Sequence, residues 1–559
     1  MEKPTPRPAR KDTVLSRRYI EGQIAEGKHV IIFESRVLKV DAFIKFHPGG
    51  EKAIKHMVGR DATDEINALH SREARDLMPK YQIGKIEGTW VNFLPPIQGG
   101  QFRLYAEETC SSEDDLTSQD NSSQDGSIPP SPIFDAVDAK STTRRRTSAK
   151  DPSTAASTPP ETEVQYRPAF LDARTKEDII FDTTKYPSLD QANQESIKQK
   201  YRELNTRMLA DGLFDCNYSA YGIECIRYSL FAALSFIFLR LGWWSTSAFF
   251  LGCLWHQLVF TAHDAGHMGI THNFHVDTVI GIIIADFIGG LSLGWWKRSH
   301  NVHHIVTNEP EHDPDIEHMP FFAISHRFFD SLNSSYYDRN MTFDAFSKVM
   351  LKIQHYSYYP IMMLARFNLS RLSWEYLLKG QAPKKGIAWW HVWLELAGQI
   401  FFWYWYGYVV LYKTLPDWSA RLAFLMISHI VPSPLHVQIT LSHFAMSTAD
   451  MGVHESFPQK MLRTTMDVDC PTWLDFFHGG LQFQAIHHLY PRMPRHNLRR
   501  AQTYVLEFCK ETGIPYAIFT FYDGNKEVIS RLGDVAKQLR LMEECRKSIA
   551  AEGVFSHHH

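Results

Sequence analysis

Two long apolar stretches set the strongest limit on how this chain can fold. Between residues 226 and 262 runs YSLFAALSFIFLRLGWWSTSAFFLGCLWHQLVFTA, interrupted near Gly242, Trp243 and Trp244. A helix needs about 20 apolar residues to cross a bilayer. This run is long enough for two helices that turn tightly at the Gly-Trp-Trp, with the tryptophans at interfacial depth. A second pair follows: WHVWLELAGQIFFWYWYGYVVLY over 390–412, a short loop with Pro416, then RLAFLMISHIVPSPLHVQITLSHFAM over 421–446. The expected spans are therefore about 224–241, 244–262, 390–412 and 421–443. The stretch TVIGIIIADFIGGLSLG (278–294) is apolar but only 17 residues long, with Asp286 and four glycines, and reads as interfacial or re-entrant. A mean hydropathy of −0.28 hides all of this segregation.

Two hairpins return the chain to the side it left. The N-terminal part, residues 263–388 and residues 447–556 are then expected on one side. Lys198, Lys200, Lys297, Arg298, Lys348, Lys352, Lys384 and Lys385 flank the apolar runs and favour the cytosol for that side. The start, MEKPTPRPARKD, lacks an apolar core, so no cleavable signal peptide is expected. The seven cysteines form no CxxC pair, which argues against a disulfide scaffold or a cysteine-rich zinc module and for a reducing compartment. Fifty-nine Lys plus Arg against 62 Asp plus Glu, a net −3, argue against a general nucleic-acid binder.

Outside the apolar runs the chain divides by composition. Residues 1–15 are expected to be disordered. Residues 16–95 read as a small folded domain in which HVIIF (29–33) alternates with charged stretches around HPGG (47–50). Residues 111–163 read as a disordered linker: Ser, Thr and Pro fill 23 of positions 111–160, and Phe134 is the only aromatic there. RRRTS (144–148) is either a kinase site, at Ser148, or a solvated basic run. The final His557, His558 and His559 read as a tag remnant.

Histidine carries the chemistry. Of 28, ten fall between 256 and 318, and histidine is the commonest metal ligand. HDAGH places His263 and His267 at i, i+4, on one face of a helix. HNVHH places His300, His303 and His304 at i, i+3, i+4, and QAIHH gives Gln484, His487 and His488 the same spacing. Seven imidazoles exceed the needs of one ion and suit two irons sharing a site. Separately, HPGG sets His47 at a tight turn and His70 follows 23 residues on. Two neutral imidazoles can fill both axial positions of a haem iron, favouring electron transfer over oxygen chemistry; two surface histidines are the other reading.

HPGG, GRDATDEINALHS and YQIGKIEG (81–88) resemble the cytochrome b5 family across about residues 16–90. That resemblance implies one haem b with His47 and His70 as axial ligands. The three histidine boxes resemble those of the membrane-bound diiron fatty-acid desaturases. Gln484 in place of the first histidine of the third box is similar to the cytochrome b5-fused front-end group. WWKRSHNVHH, EHDPDIEHMPFF and GGLQFQAIHHLYPRMPRHNL most resemble its fungal sphingolipid Δ8 members. The fold so implied is an α+β cytochrome b5-like haem domain, then an all-α membrane domain over 166–545. The latter has four transmembrane helices in two hairpins and a cytosolic helical cap.

The resemblance further implies two non-haem irons held by His263, His267, His300, His303, His304, His487 and His488. His443 of TLSHF is carried over as an eighth ligand, and Gln484 and Asp264 belong to the boxes as supporting residues. Asp264, Asp313 and Asp315 either orient ligand imidazoles or serve as caps and turns. His436 is expected to be packed or hydrogen-bonded within the bilayer. His272, His312 and His318 are expected in supporting or surface roles. O2 is the implied co-substrate and a membrane lipid in the endoplasmic reticulum the implied substrate. NAD(P)H-cytochrome b5 reductase is the implied electron source, because no glycine-rich dinucleotide motif follows a strand here. Asp61, Asp64 and Glu65 would suit a basic reductase or form a solvated face. The linker would keep the haem domain at high effective concentration beside the irons. Three rivals stay open at this point: a Δ5 or Δ6 front-end acyl desaturase, a cytochrome b5-fused lipid hydroxylase, and a non-catalytic haem electron-transfer membrane protein.

Overall fold

The structure, a computed structural model, describes residues 10–105 and 161–555. Residues 1–9, most of the expected linker with Ser148, and the terminal histidines lie outside the described residues. Two boundaries need correction. Residues 10–15, assigned above to a disordered N-terminus, are ordered: Arg10–Asp12 form a 3-10 turn, and Leu15 N–H donates to the Lys85 carbonyl at 2.8 Å. That backbone finds its partners on a strand, so order extends past the apolar pattern that marked the domain. Residues 161–163, assigned to the linker, form the first turn of a helix.

The first unit is α+β. Helix α1 (Arg17–Ala25) is capped by Ser16, whose Oγ accepts from Tyr19 N–H at 3.1 Å. Strands β1 (Val30–Phe33), β2 (Arg36–Lys39) and β3 (Gln82–Lys85) make an antiparallel sheet in the order β1-β2-β3. Glu34 and Ser35 close the first hairpin with φ of 48° and 64°, the two left-handed residues that a tight two-residue loop requires. Helices α2 (Glu51–Lys55), α3 (Thr63–Leu69) and α4 (Arg72–Leu77) lie between β2 and β3. Ile20, Ile24, Val30, Ile32, Val37 and Val58 form its core on one side of the sheet.

The second unit is almost entirely helical. Helices α5 (Glu161–Lys185) and α6 (Gln191–Ala210) lead into α7 (Tyr218–Arg240) and α8 (Trp244–Gly266), which form a hairpin turning at Gly242, φ 77°. On α7 only Tyr221 and Glu224 are buried, while Ile223, Ile226, Leu230, Phe236 and Ile237 point outward. Apolar surface of this extent marks a membrane-facing helix. Next come α9 (Phe274–Ile282), a π-helical turn (Ile283–Ile288) and α10 (Leu293–Ile305). The two arms of this pair are bent by 118°. Gly290 sits at the bend with φ 67°, and a Cβ there would lie 2.4 Å from the Phe402 ring.

A small hairpin, β4 (Asn333–Ser334) and β5 (Arg339–Asn340), precedes α11 (Ala345–Met362) and α12 (Ala365–Leu378). Helix α13 (His391–Phe402) continues as a π-helical segment to Thr414. Helices α14 (Trp418–Ile430) and α15 (Ser433–Phe444) are divided only at Val431 and Pro432. Among the described residues two helices are by themselves long and apolar enough to cross a bilayer, Tyr218–Arg240 and Trp418–Phe444, and the bent pair would make a third if counted as one span. The remainder comprises α16 (Phe457–Thr464), β6 (Asp467–Asp469), α17 (Asp475–His478), α18 (Gln484–Leu489), α19 (Leu498–Thr512), β7 (Ile518–Thr520) and α20 (Phe521–Phe555). Strands β6 and β7 pair in parallel. Helix α20 extends ten residues beyond the expected end of the domain at 545 and packs along α11.

The two units share a core. Val302, Ile305 and Val306, on and just after α10, are buried with Ile31, Phe33, Leu38, Val40 and Met57 of the first unit.

Candidate metal centre

Three helices converge close to the first unit. The last turn of α8 carries His263 and its cap is His267; α10 carries His300, His303 and His304; α18 carries His487 and His488. The arms of α8 and α10 approach so closely that a Cβ on Gly266 would lie 2.1 Å from the Trp296 ring. Trp296 in turn packs on His263, His267 and His300, with ring centroids 4.5–5.4 Å away. Glycine inside HDAGH is thus what lets the first two boxes meet.

The expected ligands come together in two groups. Ring nitrogens of His263, His267, His300 and His487 all lie within 4.8 Å of one another, and so do those of His303, His443 and His488. His443 arrives from the end of α15. His304 stands between the groups, with its Nε2 3.1 Å from His300 Nε2 and its ring stacked on His488 at 4.3 Å. Buried ring nitrogens without any hydrogen-bond partner, His267 Nε2, His304 Nδ1 and His487 Nε2, are among them. A bare buried nitrogen is costly unless something binds it. Burial first, then the neighbouring imidazoles, holds His267, His304, His487 and His488 well below the usual imidazole range. They are therefore neutral, the form that binds metal. A donor set of imidazoles only fits iron.

Carboxylates surround the rings unequally. Both Asp313 oxygens lie 2.9 Å from His303 Nδ1, and the same carboxylate accepts from Asn308 N–H at 2.7 Å and Asp315 N–H at 2.9 Å. Asp313 thus orients a ring and closes a turn at once. Asp315 Oδ2 is 3.7 Å from His300 Nδ1. Asp264 is turned elsewhere: its Oδ1 is 4.0 Å from His263 Nδ1, while Oδ2 accepts from Arg495 and Tyr221. Arg495 also binds Glu224, so one buried guanidinium ties α7, α8 and the segment after α18 together. Sequence reasoning missed Arg495. Its signal was Glu224, a carboxylate at the head of an apolar run that demands a buried partner. Gln484, first residue of α18, is buried, and the helix is anchored where Ala485 N–H donates to Asp467 Oδ1 at 2.7 Å.

Other histidines lie apart from both groups. His436 and His256 are buried, each with an unpartnered Nε2. His272 bonds the Met268 and Phe214 carbonyls, both at 2.9 Å. His312 bonds Ser335 Oγ at 2.9 Å, and His318 packs on Phe322 and Phe444.

In the first unit His47 follows a 3-10 turn and His70 caps α3; their rings face each other with centroids 5.8 Å apart. His47 Nδ1 lies 2.9 Å from the Gly50 carbonyl, which leaves its Nε2 for a metal, and His70 Nδ1 is buried without a partner. Burial lowers His47, and burial together with His47 takes His70 down to about 3. Two neutral imidazoles so placed fit the axial positions of a haem iron.

Comparison with known proteins identifies both parts of the chain. Residues 241–520 match the family described as fatty acid desaturase, and residues 18–87 match the cytochrome b5-like heme/steroid binding domain. The Delta 8-(E)-sphingolipid desaturase of Emericella nidulans is 71% identical over 549 residues, covering 98% of this chain and 99% of that protein. The protein of the same name from Kluyveromyces lactis is 49% identical over 553 residues, covering 98% and 96%. The Delta(8)-fatty-acid desaturase of Helianthus annuus is 34% identical over 377 residues, covering 65% and 78%.

Proposed function

We propose a function from one premise: the chain belongs to the fatty acid desaturase family and carries a cytochrome b5-like domain in the same polypeptide. It is an O2-dependent sphingolipid Δ8 desaturase that inserts a double bond between C8 and C9 of the long-chain base of ceramide. The E geometry is the one in its relatives' name. The observation that carries this reading is the 71% identity to a protein so named, across 98% of the chain.

The residues then divide the work. His47 and His70 hold haem b. His263, His267, His300 and His487 would hold one iron and His303, His443 and His488 a second, with the His304 side chain standing between the two groups. The irons, when bound, supply the O2-derived oxidising power that an unactivated methylene requires. Asp313 holds the His303 ring with Nδ1–H outward and Nε2 toward the metal. Asp315 does the same for His300 at longer range. Arg495 holds Asp264 and so fixes the end of α8. The reaction removes two hydrogens from the chain and, with two electrons and two protons, converts O2 to two waters. Haem held by His47 and His70 would supply one-electron carriage, with NAD(P)H and a cytochrome b5 reductase as the proposed source of electrons.

The clustering of the histidines supports one topology. Residues that share one site must lie on one side, so the number of crossings between them is even. Between His267 and His300 lies a single bent pair, which therefore enters and leaves on the same face. Between His304 and His443 lie α13 with its continuation and α14–α15, which go out and back. This supports a reading of four spans, with α7 and α8 as the out-and-back pair before the first box and α13 to Thr414 and α14–α15 as the second pair. Helices α16–α20 form the cap on the histidine side. The functional units are a haem domain over about 10–95 and a desaturase domain over about 161–555, in the endoplasmic reticulum membrane with both metal sites toward the cytosol.

Expression in a host that lacks Δ8-unsaturated long-chain bases tests the reading. Mass spectrometry of the bases is expected to show a C8–C9 double bond, and His300→Ala is expected to abolish it while leaving the haem spectrum intact. A double bond in the acyl chain, or a hydroxyl in place of a double bond, would overturn the assignment.

A further inference from the structure

Helix α10 has two working faces. At 100° per residue, His300, His303 and His304 fall on one side, and Asn301, Val302 and Ile305 on the other. The first face meets the iron ligands. The second is buried against the haem unit, with Val302 and Ile305 in one core with Ile31, Phe33, Leu38 and Met57. Asn301 stands against the HPGG turn: a Cβ on Gly49 would lie 2.7 Å from Asn301 Nδ2 and 2.9 Å from the His47 ring. The other axial histidine is tied to the third box. Arg492, four residues past His488, donates from Nη1 to the His70 carbonyl at 3.0 Å.

Ion pairs frame this contact. Arg202 Nε meets Asp64 Oδ1 at 2.7 Å, and Lys52 Nζ meets Asp338 Oδ1 and the Ser335 carbonyl, both at 2.6 Å. Asn92 Nδ2 donates to the Val453 carbonyl at 3.0 Å. The Lys52 and Asp64 side chains are 8% and 5% exposed. Asp64, one of the acids that suit a basic reductase, is thus already engaged within the chain.

Resting on the desaturase reading, we propose that this buried face of the haem domain is the electron-transfer interface, with α10 and Arg492 as positioning elements that hold each axial histidine against a histidine box. A ferrous haem gives one electron across α10, a helix about 10 Å wide with its side chains, and becomes ferric while a non-haem iron is reduced. Two such transfers supply the two electrons that each double bond needs. An NAD(P)H-dependent flavin reductase returns the haem to the ferrous state between them.

The test uses full-length enzyme, loaded with haem and iron, in lipid nanodiscs. The haem is reduced anaerobically, then mixed with O2 and ceramide, and its reoxidation is followed by stopped-flow absorbance. Asp64→Arg and Arg202→Asp are each expected to slow reoxidation at least about tenfold, and the double exchange to restore it. Arg492→Met is expected to slow it similarly, with Arg492→Lys largely restored. Haem potential and iron content are expected to be unchanged throughout. Single variants as fast as the parent, or a double exchange as slow as the singles, would overturn the proposal. Carbodiimide coupling reads the contact without any turnover. A Lys52–Asp338 cross-link, found by peptide mass spectrometry and lost in Asp338→Asn, supports the interface even if ceramide proves to be the wrong substrate. Its absence in the parent would overturn the interface while leaving the desaturase assignment standing.

Discussion

At Asp313 one fully buried carboxylate does three things: it holds His303 Nδ1, caps Asn308 N–H and receives Asp315 N–H. An amide would keep the shape but lose the charge that favours Nδ1–H on His303. Loss of such an outer partner costs about 10–100-fold in metal affinity or activity. Asp313→Asn is expected to show that loss as a lower ratio of non-haem iron to haem by elemental analysis, with the haem spectrum unchanged. Full iron loading would show that His303 does not depend on Asp313. The clustering of the three boxes was legible from spacing, because i, i+3 and i+4 fix a shared face, whereas His443 came only from the family resemblance. The partners of these rings were not legible. Asp264 adjoins His263 in sequence yet turns to Arg495, 231 positions away, and a linear reading has no access to that choice.

Among elements, the crossing of α8 and α10 is a tight point beside the site. Gly266→Ala would force Trp296 off the His263, His267 and His300 rings. Overpacking of this kind costs about 1–3 kcal/mol. The variant is expected to melt at lower temperature and to retain less iron, by differential scanning fluorimetry and metal analysis; an unshifted melt with full iron would refute the wedge. The apolar runs were legible because lipid-facing helices need no polar side. Their ends were less so. Tyr218 and Gly266 extend α7 and α8 beyond the apolar residues, since helix termini follow local capping and hydrogen bonding rather than hydropathy. The bend at Gly289 and Gly290 was signalled by its glycines, and Asp286, buried there, accepts from Gln399 Nε2 at 3.0 Å.

For the whole molecule, iron and haem should behave as separable contributions to stability. A ligand that binds only the folded state stabilises it by about 2.7 kcal/mol at 100 times its dissociation constant. Chelation of the non-haem iron from full-length enzyme in nanodiscs is expected to lower the melting temperature while the haem absorbance persists. Restoring ferrous iron should reverse the shift; a melt indifferent to iron would contradict a bound diiron centre. The two units were legible in the sequence, each from its own motifs. Their packing together was not, because Val302 and Ile305 look like ordinary core positions until the opposite wall is known to be the haem unit. The shared helix also limits how freely the units can be exchanged. With the clustered histidines on one side and the haem domain on the other, α10 has no idle surface along His300–Ile305. A haem domain transplanted from a distant homologue would meet the wrong relief at Asn301, Val302 and Ile305, however well it bound haem itself. Chimaeras of this architecture therefore have their natural seam on the desaturase side of that contact, with those three residues travelling alongside the domain they were shaped to receive.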